Sequence, residues 1–251
     1  MSVLVVTGTD TGVGKTVVTA ALATLARARG ASVAVVKPAQ TGVGPDEPGD
    51  LDHVRRLSEA GSGGGIERDD LHELARYPDP LSPAAAARIS GLPPVTMAQA
   101  AKRIATLAET RRLVLVEGAG GLLVRYDEDG ATIADLARAL AAPVLVVTGP
   151  GLGTLNHTAL TLEALAHHGV ELGGVVIGAW PDAPDLAMRC NIRDLETIAA
   201  RPLDGALPAG AGSLAAAEFL LRARSGISPS LGGTFDAGTF RETYGTSGGQ
   251  R

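Results

Sequence analysis

Cysteine is almost missing from this chain of 251 residues: Cys190 is the single one. An intrachain disulfide framework and a zinc site built on several cysteines are therefore excluded, and a reducing compartment fits. Aromatics are as scarce, with three Phe, three Tyr and one Trp, so a core has to come from Val, Leu, Ile and Ala. No basic excess exists either. Lys and Arg number 22 against 27 Asp and Glu, a net charge of −5 without a basic block, and a nucleic-acid partner is not expected. No apolar run approaches the ~20 residues of a membrane span. The start, Met1-Ser2 followed by Val3 to Val6, lacks the basic segment and the length of a secretory signal. The expectation is a cytoplasmic protein without a membrane partner.

What is present is ordinary for a globular chain: 45% hydrophobic and 20% charged residues, outside the disordered, collagenous and fibrous classes. Short aliphatic runs recur at Val3 to Val6, Ser32 to Val36, Leu113 to Val116, Val144 to Val147 and Gly174 to Ile177. Apolar residues on successive positions mark strands buried on both faces. Between them the pattern predicts helices over Thr16 to Arg29, Leu51 to Ala60, Thr96 to Glu109, Thr132 to Leu140 and Thr154 to His168, with Gly30 and Gly169 as closing glycines. Alternating strands and helices predict an α/β fold, doubly wound, with a mainly parallel sheet and helices on both faces. Neither the Gly- and Pro-rich stretch from Pro38 to Asp50 nor Gly61 to Gly65 divides the chain, so one domain is expected over 1–244. Asp236 predicts the cap of a short helix through Phe240 to Tyr244, and 245–251 reads as a frayed tail.

The strongest chemical signal is Gly8-Thr9-Asp10-Thr11-Gly12-Val13-Gly14-Lys15-Thr16, directly after the first strand and directly before a helix. Such a loop turns backbone N–H groups inward above a helix N-terminus and cradles phosphate. Lys15 would reach the β- and γ-phosphates and Thr16 would place its hydroxyl on Mg²⁺. Its first glycine comes one residue early for the usual spacing, and a plain glycine turn is the bland alternative. Glu117, at the end of a buried strand and before Gly118-Ala-Gly-Gly121, points where ligands bind in such sheets. Lys37, at the end of the second strand, is suited to an anionic intermediate, although a solvated lysine is equally common there. Asp50 and Asp52 both open a helix, and spacing does not decide which caps it and which binds metal. Thr154 reads as an N-cap, with Asn156 beside free N–H groups able to hold a carboxylate. The five histidines have no metal-ligand spacing.

Taken together, GTDTGVGKT from Gly8 to Thr16, KPAQTG from Lys37 to Gly42, VEGAGG from Val116 to Gly121, LGTLNH from Leu152 to His157 and LPAG from Leu207 to Gly210 resemble the dethiobiotin synthetase family, over about residues 3–210. The resemblance implies a P-loop NTPase fold and a cyclo-ligase. CO₂ joins one amine of 7,8-diaminononanoate, the carbamate is phosphorylated by ATP or another nucleoside triphosphate with Mg²⁺, and ring closure releases phosphate. It implies Lys15 and Lys37 as catalytic residues, and Thr16, Asp50 and Glu117 as magnesium ligands. Thr11, Gly12, Val13, Gly14, Lys15, Thr16 and Val17 would hold the phosphates, with Gly178, Pro208, Ala209 and Gly210 around the base. Thr11, Lys37, Thr41, Gly120, Leu152, Leu155 and Asn156 would bind the diamine, Leu155 and Asn156 coming from the second subunit of a homodimer. Where some members have an adenine-reading Asn, this chain has Gly178. Rival members of the same class fit less well: a partition-type ATPase has an extra lysine early in the loop, where Asp10 stands, and an amidoligase needs a reactive cysteine, which Cys190 lacks the surroundings to be. A nucleotide-regulated switch remains the alternative of a different class.

Overall fold

A computed structural model of the chain describes residues 2–59 and 64–246. Seven strands form one sheet: β1 (Ser2–Gly8), β2 (Val33–Lys37), β4 (Leu71–Glu73), β6 (Leu113–Gly121), β7 (Val144–Thr148), β8 (Leu172–Trp180) and β9 (Gly205–Pro208). Their order is β4-β2-β6-β1-β7-β8-β9. Every pairing in it is parallel, so the sheet is wholly rather than mainly so. A separate pair joins β3 (Gln40–Thr41) to β5 (Arg76–Tyr77). The helices are α1 (Lys15–Ala28), α2 (Asp50–Leu57), α3 (Pro83–Ser90), α4 (Met97–Thr110), α5 (Ile133–Ala139), α6 (Thr154–His167), α7 (Leu186–Ala199), α8 (Ala216–Gly226) and α9 (Ala237–Tyr244). None among the described residues is long and apolar enough to cross a membrane.

The period of two along each strand sends neighbours to opposite faces. Val5, Val114, Val116, Val144 and Val146 meet α3, α4 and α5 on one face. Val6, Leu115, Leu145 and Val147 meet α1, α2 and α8 on the other. Full burial of each such side chain is worth about 1.5–3 kcal/mol, and strands covered on both sides need it at every position. On β8, next to the edge strand β9, Val175, Ile177 and Trp180 pack on α7, Phe235 and α9, with the Trp180 ring 5.1 Å from Phe240 and 5.6 Å from Tyr244.

The expected strands and helices are present with ends shifted by a few residues. Asp236 caps α9 as read, its Oδ1 accepting the Thr239 N–H at 2.7 Å. Three helices and two main-sheet strands beyond that expectation are α3, α7, α8, β4 and β9. β9 is four residues bounded by Gly205 and Pro208, too short and too glycine- and proline-marked to stand out. The α2 reading ran on to Ala60, which lies outside the described residues, as do Gly61 to Gly63 and the tail from 247. Thr154 is not a cap: Gly153 takes that place, and the Thr154 hydroxyl instead donates to Gly149 O at 2.6 Å.

Candidate active site

β1, β2 and β6 are neighbours in the sheet, and their carboxyl ends deliver the loop from Gly8, Lys37 and Glu117 to one crevice. The loop from Gly8 runs into α1, whose N-cap Gly14 adopts φ +100° with no side chain over the first turn. The first N–H groups of α1 therefore face the crevice as an anion seat. The loop rests directly on β8. A Cβ on Gly14 would stand 2.7 Å from Gly178 O, and one on Gly178 only 2.0 Å from Val13 O. Gly178 is thus a backbone platform under the loop.

A cleft of about 860 Å³ opens there, lined by Thr11, Gly12, Gly14, Lys15, Thr16, Val17, Lys37, Thr41, Asp50, Glu117 and Gly120. At its floor Lys37 is 3% exposed and Glu117 is fully buried. Lys37 Nζ is 2.8 Å from Glu117 Oε1 and 2.6 Å from Asp50 Oδ2, and donates to Gly118 O at 3.3 Å. The Thr16 hydroxyl donates to the same Glu117 oxygen at 2.8 Å. Lys15 Nζ donates to Asp10 O at 2.9 Å.

Burial alone would favour neutral Lys37, but the carboxylates of Glu117 and Asp50 outweigh it and hold the ammonium above its ordinary range. Asp50 shows the mirror effect: burial works against its charge, yet Lys37 and a hydrogen bond from Thr16 keep its carboxyl below the usual value. Lys15 lacks such a partner. Burial first, and the like charge of Lys37 second, bring it down to about 8.

The two aspartates that spacing left equivalent have different places. Asp52 turns back to accept the Gly49 N–H at 2.9 Å and closes the start of α2. Asp50 faces Lys37. Glu117 Oε2 is buried without a hydrogen-bond partner, while the Thr16 hydroxyl and Lys37 both meet Oε1 and Asp50 lies across Lys37. Two carboxylates and a hydroxyl are hard oxygen donors, too few for a closed cage, which is the way Mg²⁺ is bound alongside phosphate.

The remaining sequence candidates are spread around this centre. Val13 offers its carbonyl side to Gly178 and does not line the cleft. Pro208 ends β9, and the Ala209 N–H is already donated to Trp180 O at 2.7 Å. Gly210, at φ +79°, opens a 3₁₀ turn over Ala211–Ser213. Leu152, Leu155 and Asn156 lie at the start of α6 and do not reach the cleft, Leu152 being 89% exposed. Sequence reasoning missed Gln40, whose Oε1 accepts the Asp50 N–H at 2.8 Å, although it lies inside the Lys37 to Gly42 motif. It also missed Tyr126, fully buried, whose hydroxyl accepts the Ala119 N–H at 2.7 Å and fixes the glycine loop after Glu117. A lone tyrosine beyond the motif gives no such signal.

A family model described as an AAA domain matches residues 2–213. A ParA family ATPase from Chlorobium tepidum superposes with a TM-score of 0.53 over 90% of both chains, and at 16% identity this likeness shows the fold alone. Among curated relatives, the ATP-dependent dethiobiotin synthetase BioD of Frankia casuarinae is 66% identical over 98% of this chain and 100% of its own length. That of a Parafrankia species is 63% identical over 97% of this chain and 99% of its own. With the phosphate loop, the two lysines and the buried Glu117 in one cleft, and identity of this order along nearly the whole chain, the protein belongs to the ATP-dependent dethiobiotin synthetase family.

Proposed function

We propose that the chain makes dethiobiotin from 7,8-diaminononanoate, CO₂ and a nucleoside triphosphate, as a cytoplasmic homodimer and a single synthetase domain through Tyr244. One amine takes up CO₂ and loses a proton to give a carbamate. A carbamate oxygen then accepts the γ-phosphoryl group and releases nucleoside diphosphate. The second amine attacks the carbonyl carbon, expels phosphate and loses its proton, which closes the ureido ring. Once a good leaving group exists, ring closure needs little beyond proximity.

The observation that carries this reading is the pair of lysines. Phosphate binding alone asks for Lys15, whereas Lys37 is a second cation, built into the floor of the same cleft by Asp50 and Glu117. Lys37 is suited to the carbamate and Lys15 to the γ-phosphoryl group, where negative charge gathers during transfer. Thr11, Thr41 and Gly120 line the part of the cleft left for the diamine. Thr16, Asp50 and Glu117 would hold Mg²⁺, the orphaned Glu117 Oε2 being the atom that most needs a cation. Held by these three residues, Mg²⁺ would supply charge neutralisation at the phosphate oxygens.

Leu152, Leu155 and Asn156 serve the neighbouring subunit's diamine in this reading. In its support, Leu152, Leu160 and Leu123 are 89%, 56% and 53% exposed, an apolar cost that a subunit contact would remove. The test is phosphate release with each component withheld in turn. Release that requires both diaminononanoate and bicarbonate supports the synthetase; release that requires neither marks a nucleotide switch instead.

A further inference from the structure

The loop after β9 is held from outside by a residue that no motif includes. Arg56, on the last turn of α2, donates from Nη1 to Leu214 O at 3.0 Å and from Nη2 to Gly212 O. On the inner side of that loop, a Cβ on Gly212 would stand 3.1 Å from Val17 Cγ2, and Val17 lines the cleft next to Thr16. At its beginning the Ala209 N–H is tied to Trp180 O at 2.7 Å. The opposite end of α2 is anchored in the site, through the Asp50 N–H on Gln40 Oε1 at 2.8 Å and the Asp50 carboxylate on Lys37 at 2.6 Å. A helix of eight residues is about 12 Å long. α2 is therefore a short strut with the metal-side carboxylate at one end and the loop after β9 at the other.

We infer that Arg56 is a positioning residue for the nucleoside half of the triphosphate, holding the segment from Pro208 to Leu214 at a fixed height over Val17. The inference rests on the proposed place of Pro208 to Gly210 beside the base. Two carbonyls two residues apart are met by two N–H groups of one planar fork, a geometry that a lysine ammonium does not reproduce. With the fork removed, the nucleoside itself has to order the loop, and its contacts yield less net affinity. Phosphate contacts in the Gly8 to Thr16 loop do not involve this segment.

Calorimetric titration of Mg·ATP and of Mg·tripolyphosphate into the wild type, Arg56→Met and Arg56→Lys separates the two halves. The wild type is expected to bind ATP more tightly than tripolyphosphate. Arg56→Met should weaken ATP by about tenfold and leave tripolyphosphate almost unchanged. Arg56→Lys, which keeps the charge, should also lose ATP affinity selectively. Unchanged ATP binding in Arg56→Met overturns the inference. Equal weakening of both compounds in Arg56→Met, restored in Arg56→Lys, assigns the effect to long-range charge and overturns it as well. A wild type that binds both compounds equally would instead remove the base-side role of Pro208 to Gly210 on which the inference stands.

Discussion

The Lys37 ammonium and the Glu117 carboxylate, both almost completely out of water, lie 2.8 Å apart at the floor of the cleft. A buried pair of this kind contributes little net stability, because desolvation consumes most of the attraction, but breaking it is expensive. Lys37→Ala is thus expected to lower stability by about 3–5 kcal/mol and to reduce kcat by at least about a hundredfold. Lys37→Met with Glu117→Gln removes both charges and should recover much of the stability without the activity. Thermal melts and steady-state rates check this, and a Lys37→Ala enzyme turning over like the wild type would exclude the lysine from the chemistry.

Lys15 sets a pH dependence of definite sign. Burial and the nearby Lys37 bring it to about 8, so it is charged at pH 7 and mostly neutral at pH 8.5. An arriving triphosphate restores the proton. Nucleotide binding should take up about 0.7 proton at pH 8.5 and about 0.1 at pH 7, and affinity should fall as the pH rises through 8. Calorimetry in buffers of different ionisation enthalpy measures the uptake. Lys15→Met must abolish the difference between the two pH values.

That the loop and Glu117 meet in one cleft was legible because a strand, a turn and a helix adjacent in sequence fix where the loop's N–H groups face. Asp50 and Asp52 were not separable, since both sit in one helical turn and the choice depends on which carboxylate meets a lysine from another strand. Gly178 was legible as a missing side chain but not as a platform for Val13, a contact between segments 165 residues apart in sequence. Tyr126 escaped for a different reason, since its partner is only seven residues away in sequence. Its partner, the Ala119 N–H, is chosen by the fold of a turn that composition does not encode.

Tyr126→Phe isolates that contact. The ring volume is kept, and the only loss is the acceptor for a buried Ala119 N–H, which costs about 1–3 kcal/mol. Because Ala119 and Gly120 line the cleft, KM for the diamine should rise more than KM for the nucleotide. Equal changes in both would reduce Tyr126 to a purely structural role.

If the α6 start of each chain serves its neighbour's cleft, two inactive chains can help each other. Asn156→Ala mixed with Lys15→Met should regain up to about a quarter of the wild-type rate, because half of random dimers are mixed and each mixed dimer has one intact composite site. Subunit exchange must be verified by differently tagged chains. No recovery after confirmed exchange would mean that each chain completes its own site.

Base selectivity follows from what the nucleoside end of the site offers. In the proposed placement the loop from Gly8 to Thr16 would grip the phosphates and be blind to the base. Gly178 has no side chain, and none fits, since a Cβ would lie 2.0 Å from Val13 O. The Ala209 N–H is already committed to Trp180 O, and Pro208 has no N–H to give. On the proposed placement only backbone is left near the base, and there the Gly210 carbonyl already accepts the Ser213 N–H at 2.9 Å. Strong discrimination requires a site whose buried polar groups are left unpaired by the wrong base, and so few backbone groups impose little such penalty. CTP, GTP and UTP are therefore expected to support turnover within about tenfold of ATP, a gap of about 1.4 kcal/mol. Values of kcat/KM for the four triphosphates, at saturating diaminononanoate and bicarbonate, decide it. An ATP preference far above tenfold would show that adenine is read by a residue outside Gly178 and Pro208 to Gly210.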